Sequence, residues 1–157
     1  MSKIYFTFGN ESREGFESRV PSPPSPEAND SVEEIQGEGI LERVPNLILF
    51  IDDCYRILKP GGVATFSASH YGSAKAWASP LAIRGISEAS LNFANKDWRE
   101  QNKYTEATVL SNFDVGGSFA CEESAMQRCE EARQFWMSRY LNVAQAILFT
   151  LTKKAVE

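Results

Sequence analysis

The segment Tyr55-Arg56-Ile57-Leu58-Lys59-Pro60-Gly61-Gly62 constrains the fold of this chain more than any other part of its sequence. Residues 45–58 place apolar side chains three and four positions apart, which predicts an amphipathic helix. Pro60 ends helical hydrogen bonding, and the two glycines after it permit a sharp reversal. Residues 63–69 are small and β-prone, which predicts a strand. A helix that returns through a tight turn into a strand is half of a βαβ unit, so the pattern indicates a parallel sheet.

The remaining periodicity extends this unit into alternating strands and helices. Further strands are predicted over residues 3–8, 31–37, 109–115 and 145–153, and further helices over residues 87–99 and 122–140. Ser87 is the predicted N-cap of the first of these helices, with Ile86 packing on Leu91 as a hydrophobic staple. The second helix is predicted from one stripe formed by Ala125, Cys129, Ala132 and Trp136. This order predicts an α/β domain.

Residues 10–30 lack an apolar pattern, and we predict a loop or disordered segment there. Residues 21–26 read Pro-Ser-Pro-Pro-Ser-Pro, which excludes a helix. A parallel crossover usually takes about a dozen residues or more. The 21 residues between Gly9 and Ser31 therefore suffice for one connection with a short ribbon at residues 15–20. They do not suffice for two helices and two further strands.

Composition narrows the class of protein. The 157 residues suit one core, so we expect a single domain over residues 1–157. A net charge of −5 argues against a broad nucleic-acid surface and favours a small-molecule or protein partner. The three cysteines, Cys54, Cys121 and Cys129, lack metal-ligand spacing, which predicts buried thiols and no metal site. No signal-peptide core and no stretch near the ~20 apolar residues of a membrane span are present, which predicts a cytoplasmic protein.

Three stretches carry a resemblance to a known family. They are residues 29–35 (Asn-Asp-Ser-Val-Glu-Glu-Ile), residues 40–45 (Ile-Leu-Glu-Arg-Val-Pro) and residues 55–62. In order and spacing they resemble the central region of class I S-adenosylmethionine-dependent methyltransferases, particularly the type 11 group. Residues 77–84 and 87–98 are similar to the segment after the fifth strand in small phage-type members, and residues 142–153 to their final strand.

The resemblance implies a Rossmann-like methyltransferase fold with strand order 3-2-1-4-5-7-6, mostly parallel, with an antiparallel last strand. It also implies S-adenosylmethionine as cofactor, lying across the carboxyl ends of the first strands. The N-terminal half is shortened, because only Phe8-Gly9-Asn10 stands where the family has a glycine-rich turn. Glu14 and Glu17 are the nearest candidates for the acidic residue that holds the cofactor's ribose. We therefore expect the sheet and the adenosine side of the site to be reduced.

Site residues follow from their positions in the family motifs. Gly9, Asn10, Glu38, Gly39 and Ile40 are the expected cofactor-binding residues. His70 and Tyr71 follow the fifth family strand and are the expected catalytic residues, since the pKa of histidine suits proton transfer near neutrality.

This chain also departs from the family pattern. Arg43 stands where the family has a histidine, and Ser79 and Ala82 replace an aspartate and a histidine. Arg84 is retained, with either an acceptor-binding or a structural role open.

Three functional hypotheses follow. The first is an active S-adenosylmethionine-dependent methyltransferase acting on a small-molecule or protein acceptor. The second is a catalytically inactive binding module, a pseudoenzyme, favoured by the degenerate glycine motif. The third is a fragment completed by self-association as a homo-oligomer, since a truncated sheet leaves an edge or an apolar face to cover.

Overall fold

The computed structural model describes residues 2–9 and 11–155, which form a six-stranded mixed sheet with helices. The strands are β1 (Ser2–Phe6), β2 (Glu17–Arg19), β3 (Val32–Glu38), β4 (Leu58–Ser69), β5 (Phe113–Cys121) and β6 (Ala144–Lys153). The helices are α1 (Leu47–Ile57), α2 (Lys96–Gln101), α3 (Glu123–Met126) and α4 (Glu130–Arg139), with 3-10 turns at Ala74–Trp77 and Asn92–Ala94. In the described residues no helix has the length and apolar character that crossing a membrane requires.

The sheet order β2-β1-β3-β4-β6-β5 confirms the predicted fold class. Strands β2, β1, β3 and β4 are parallel, and β6 runs antiparallel to both β4 and β5. This order agrees with the one that the resemblance implies, over the six strands described. Between β1 and β3 the described chain holds one short strand, β2, and no helix.

Helix α1 forms as predicted and packs on one side of the sheet. The Asn46 side chain caps it by accepting a hydrogen bond from Leu49 N at 3.0 Å. The Phe50 ring lies 5.2 Å from the ring of Phe6 and 5.5 Å from that of Phe66. Alternate residues of the strands meet it there and form the core face of the sheet, which includes Ile4, Phe6, Ile35, Phe66, Phe149 and Leu151.

The second side of the sheet, the open face, is polar. Tyr5, Gln36, Thr65 and Thr150 lie side by side across four neighbouring strands. Lys3 pairs with Glu34 on the same face at 2.6 Å. Thr150 is exposed, and Gln36 and Thr65 are half-buried. Parallel sheets usually have both faces covered, so this one is unusual in meeting water with polar side chains.

The prediction of a tight turn before the strand, at Lys59-Pro60-Gly61-Gly62, is wrong. These residues lie inside β4, which begins directly after α1. Gly61 has φ +76°, a left-handed conformation that glycine adopts without steric cost. The register between β3 and β4 shifts at this point. The glycines thus lie in an irregular stretch of β4, residues 59–62, which stands opposite the single residue Glu33 of β3.

Three other predicted elements differ in extent. Residues 87–99 form a 3-10 turn and then α2, because Asn95 breaks the helix by capping Trp98 N and donating to Phe113 O, each at 2.8 Å. Ser87 caps no helix, although Ile86 and Leu91 are both buried as predicted. Residues 122–140 split into α3 and α4, and Ala125 is the one buried member of the predicted stripe. Strand β5 begins at Phe113 rather than Val109 and continues through Gly116-Gly117, which pair with β6.

The proline-rich segment is fixed against α1 by hydrogen bonds. Asp53 accepts from Ser25 N at 2.7 Å, and Arg56 donates to the carbonyls of Ser25 and Glu27. The ribbon predicted at residues 15–20 corresponds to β2, which pairs with β1. All three cysteines are free; Cys54 is buried and Cys121 half-buried, whereas Cys129 is exposed, so burial was predicted wrongly for Cys129.

Candidate functional site

A cleft of about 490 Å³ opens at the carboxyl ends of β1, β3 and β4. Ligands of open α/β sheets bind outside this edge. The loops after β1 and β3, the ends of β4 and β6 and the segment 75–82 form its wall. Its polar and charged lining residues are Glu11, Glu38, Glu42, Arg43, Ser67, Ser69, Lys75, Ser79 and Gln145.

Gly9 and Gly39, two of the expected cofactor-binding residues, both line this cleft. A Cβ added at Gly9 would meet no described atom closer than 3.9 Å. Protein packing therefore does not require glycine there, and its missing side chain leaves room in the cleft. Gly39 has φ +61°, and its N–H donates to Ser67 O at 2.9 Å. This bond fixes the turn after β3 against the end of β4.

The other expected cofactor-binding residues are placed differently from one another. Glu38 lines the cleft and is exposed. Ile40 is 1% exposed and packs in the core, where a Cβ on Gly37 would lie 3.0 Å from it. Asn10 lies outside the described residues. The structure thus brings Gly9, Glu38 and Gly39 together, and it places Ile40 behind them.

His70 and Tyr71, the expected catalytic residues, do not line the cleft. His70 is 6% exposed on the core-face side of β4, where its Nδ1 accepts from Gly72 N–H at 3.1 Å. Its Nε2 lies 3.7 Å from the Glu88 carboxylate. Burial lowers the pKa of His70, and the nearby Glu88 opposes this only in part. Tyr71 lies in a separate surface recess, where its carbonyl accepts from the Trp77 indole at 2.8 Å.

Glu42 is the cleft residue that sequence reasoning missed. Only 4% of it is exposed, and its Oε1 accepts from Ser69 N–H at 2.7 Å. Its Oε2 is buried and has no hydrogen-bond partner among the described residues. The resemblance did contain a signal, because Glu42 matches the glutamate of the family's leucine-glutamate-histidine turn. The prediction considered only the next position of that turn, where Arg43 replaces the histidine.

The turn that carries Glu42 is held from behind by Arg84. This guanidinium donates to the carbonyls of Leu41, Val44 and Pro45 at 2.9, 2.5 and 3.0 Å. Ile83 N–H donates to Glu42 O at 2.9 Å. Of the two roles considered for Arg84, the structure therefore supports the structural one, because its guanidinium satisfies three carbonyls of one turn.

Carboxylates dominate the charge of the cleft. Three carboxylates, Glu11, Glu38 and Glu42, line it together with two cations, Arg43 and Lys75. Burial raises the pKa of the neighbouring Tyr5, and the charges of Glu11 and Glu38 raise it further. Neither Glu14 nor Glu17 lines the cleft, and Glu17 pairs with Arg19 at 2.8 Å. Glu11, on the loop after β1, is thus the acidic residue between β1 and β3 that lines the cleft.

The cleft fits S-adenosylmethionine in size and in charge. Its volume lies within the range of about 300–1,000 Å³ that is typical of small-molecule sites. Sulfonium and ammonium groups give the cofactor a net positive charge, which suits a wall with more carboxylates than cations. Gly9 leaves space in the cleft on the loop after β1.

No family model matches this chain, and no curated protein matches its sequence. Solved structures do match. A methyltransferase dependent on S-adenosylmethionine from Archaeoglobus fulgidus superposes with a TM-score of 0.62 at 14% identity, covering 96% of this chain and 75% of its own. One from Mesorhizobium loti gives 0.53 at 12% identity, covering 91% and 72%. One from Thermotoga maritima gives 0.51 at 16% identity, covering 88% and 63%. At these identities the similarity concerns the fold, and the chain has the fold of class I S-adenosylmethionine-dependent methyltransferases.

Proposed function

We propose that this chain binds S-adenosylmethionine in the cleft and transfers its methyl group to a small acceptor. The observation that carries the proposal is the cleft itself, which lies at the carboxyl ends of β1, β3 and β4 and is lined by Gly9, Glu38 and Gly39. The motif order in residues 29–62 supports placing the chain in the type 11 group, close to its small phage-type members.

The residues of the cleft divide between the two reactants. Gly9 and Gly39 leave the backbone open to the methionine end of the cofactor, and Glu11 is placed to accept hydrogen bonds from ribose hydroxyls. When bound, the cofactor supplies an activated methyl group for in-line displacement. Such a reaction depends mainly on positioning, and it needs a base only if the acceptor must lose a proton. The absence of His70 from the cleft wall is therefore compatible with transfer.

The shortened N-terminal half predicts weak binding of the adenosine end. Residues 7–16 connect β1 to β2 without a described helix, and β2 has three residues. Fewer groups then enclose the adenine than in a full-length sheet. We expect dissociation constants in the micromolar range rather than below it.

Isothermal titration with S-adenosylmethionine and S-adenosylhomocysteine tests the proposal. We expect binding that Gly9→Val weakens, because the added side chain would occupy the cleft. Gly116→Val is the matched control, since Gly116 lies on β5 away from the cleft. No binding at millimolar ligand would refute the proposal. Binding without transfer to any acceptor would favour the inactive binding module instead.

A further inference from the structure

Glu42 has a buried carboxylate whose hydrogen bonding within the described residues is incomplete. Buried carboxylates are rare unless they are paired, and buried polar atoms nearly always have a partner. Here Ser69 N–H binds Oε1, and nothing described binds Oε2. Arg43 and Lys75 line the same cleft, yet neither donates a hydrogen bond to Oε2.

The turn that carries this carboxylate is anchored by hydrogen bonds. Arg84 holds the carbonyls on both sides of Glu42, and Ile83 N–H holds the carbonyl of Glu42 itself. Ser69 N–H ties the side chain to the end of β4. The backbone of this turn is thus held in place, and a ligand reaches the buried Oε2 through a movement of the Glu42 side chain alone. Preorganised polar groups of this kind are typical of ligand sites.

We propose that Glu42 binds an ammonium group of the methyl acceptor and so selects an acceptor that carries a protonated amine. The inference rests on the proposed function. A cation neutralises a buried carboxylate, whereas a hydroxyl group would leave its charge in place. Glu11 and Glu38 add negative charge to the same wall and favour the same cation. The turn after β3 borders both the cofactor's sulfonium and the acceptor in the family motif, and we assign Gly39 to the first and Glu42 to the second.

The test uses methylamine, ethanolamine and benzylamine as probes. Each is paired with a neutral counterpart, namely methanol, ethylene glycol and benzyl alcohol. Binding is measured by calorimetry with and without saturating S-adenosylhomocysteine. The variants are Glu42→Gln, in which the amide oxygen still accepts from Ser69 N–H, and the control Glu38→Gln, which removes an exposed carboxylate of the same cleft.

We expect at least one amine to bind more tightly than its neutral counterpart. Glu42→Gln should weaken that amine by at least about tenfold, the effect of one charge-assisted hydrogen bond. Glu38→Gln should weaken it much less, and S-adenosylhomocysteine binding should be unchanged in Glu42→Gln. The melting temperature of Glu42→Gln without ligand should not fall, because the amide has the same shape and keeps the bond from Ser69 N–H.

Three outcomes would overturn the inference. They are no preference for any amine over its neutral counterpart, equal losses in the two variants, and a tenfold loss of cofactor affinity in Glu42→Gln, which would assign Glu42 to the cofactor. Failure of the unaltered protein to bind S-adenosylhomocysteine would instead refute the proposed function, and the amine titration of the free protein would still test Glu42.

Discussion

Gly39 both adopts a backbone conformation that favours glycine and lines the cleft. Its φ of +61° lies in the left-handed region, so Gly39→Ala should lower the free energy of unfolding by about 1–2 kcal/mol. The turn after β3 would also shift, and we expect weaker binding of S-adenosylhomocysteine. Urea denaturation and calorimetry measure the two effects separately.

Gly61→Ala is the control for Gly39→Ala. Gly61 also has a positive φ, +76°, but it lies at the opposite end of β4 from the cleft. It should lose similar stability and bind ligand normally. Equal ligand binding by the two variants would show that Gly39 serves the fold alone.

His70 makes stability depend on pH. Burial lowers its pKa in the folded protein below the value of about 6.5 that it has in an unfolded chain. Below that pH the unfolded chain binds the proton more readily, so stability is full above pH 6.5 and declines as the pH falls. Protonation at Nδ1 would also break the hydrogen bond from Gly72.

Urea denaturation between pH 7.5 and 5.5 measures this decline. His70 is the single histidine of the sequence, so His70→Asn should remove most of it. Carboxylates titrate mainly below this range. A wild-type curve that is flat over the same interval would contradict the predicted pKa direction.

At the scale of elements, Lys153 joins three segments of the chain. Its buried Nζ donates to Asp30 Oδ1 and to the carbonyls of Tyr55 and Leu58, at 2.6 to 2.7 Å. It thereby holds the end of β6 against the junction of α1 and β4. Lys153→Met leaves two carbonyls and one carboxylate without this partner, so the free energy of unfolding should drop by about 3 kcal/mol.

Lys154→Met is the matched control for Lys153→Met. Lys154 pairs with exposed Asp97 and Asp114 at the surface, where ion pairs contribute little. Chemical denaturation of both variants checks the difference. Losses of equal size would mean that the buried contacts of Lys153 do not anchor β6.

The elements that sequence predicted correctly are those whose side-chain period matches their burial. Helix α1 and strand β6 carry uninterrupted apolar patterns and formed as expected. Strand β3 formed although Glu33 and Glu34 disfavour a strand locally, because each pairs with a lysine of a neighbouring strand. The prediction of one helix over residues 122–140 was wrong. Helix α4 buries no side chain, so packing against the core does not determine where the helix begins and ends.

The site was predictable only in part, for a similar reason. Gly9, Glu38 and Gly39 follow strands that end at one edge, and sequence order alone brings them together. Glu42 acquires its character from Ser69 and Arg84, which lie 27 and 42 positions later in the chain. His70 was expected at the same edge, but the alternation of β4 directs it to the core face.

At the scale of the whole molecule, the open face bears on whether the sheet needs a partner to cover it. A truncated sheet was expected to leave an edge or an apolar face that self-association would cover. The face instead carries Tyr5, Gln36, Thr65 and Thr150, together with the Lys3 ion pair. Polar side chains therefore weaken the argument for an obligatory partner on this face.

Replacing Thr65 and Thr150 by leucine should reverse that property. The two residues are direct cross-strand neighbours, so the double variant creates an apolar patch in the middle of the face. We expect it to self-associate, as judged by light scattering coupled to size exclusion. The double serine variant at the same positions should behave as the unaltered chain, and an unchanged mass for the leucine variant would show that this face does not control association.

The position of β6 between β4 and β5 has a consequence for synthesis. As the chain leaves the ribosome, β1 to β4 can pair in order, but β5 emerges without a neighbour because its only partner is made later. Until residues 144–153 insert, β4 and β5 both present free edges. A product that ends before residue 144 is thus the form of this protein that depends most on chaperones, because insertion of β6 covers the free edge of β4 and one edge of β5.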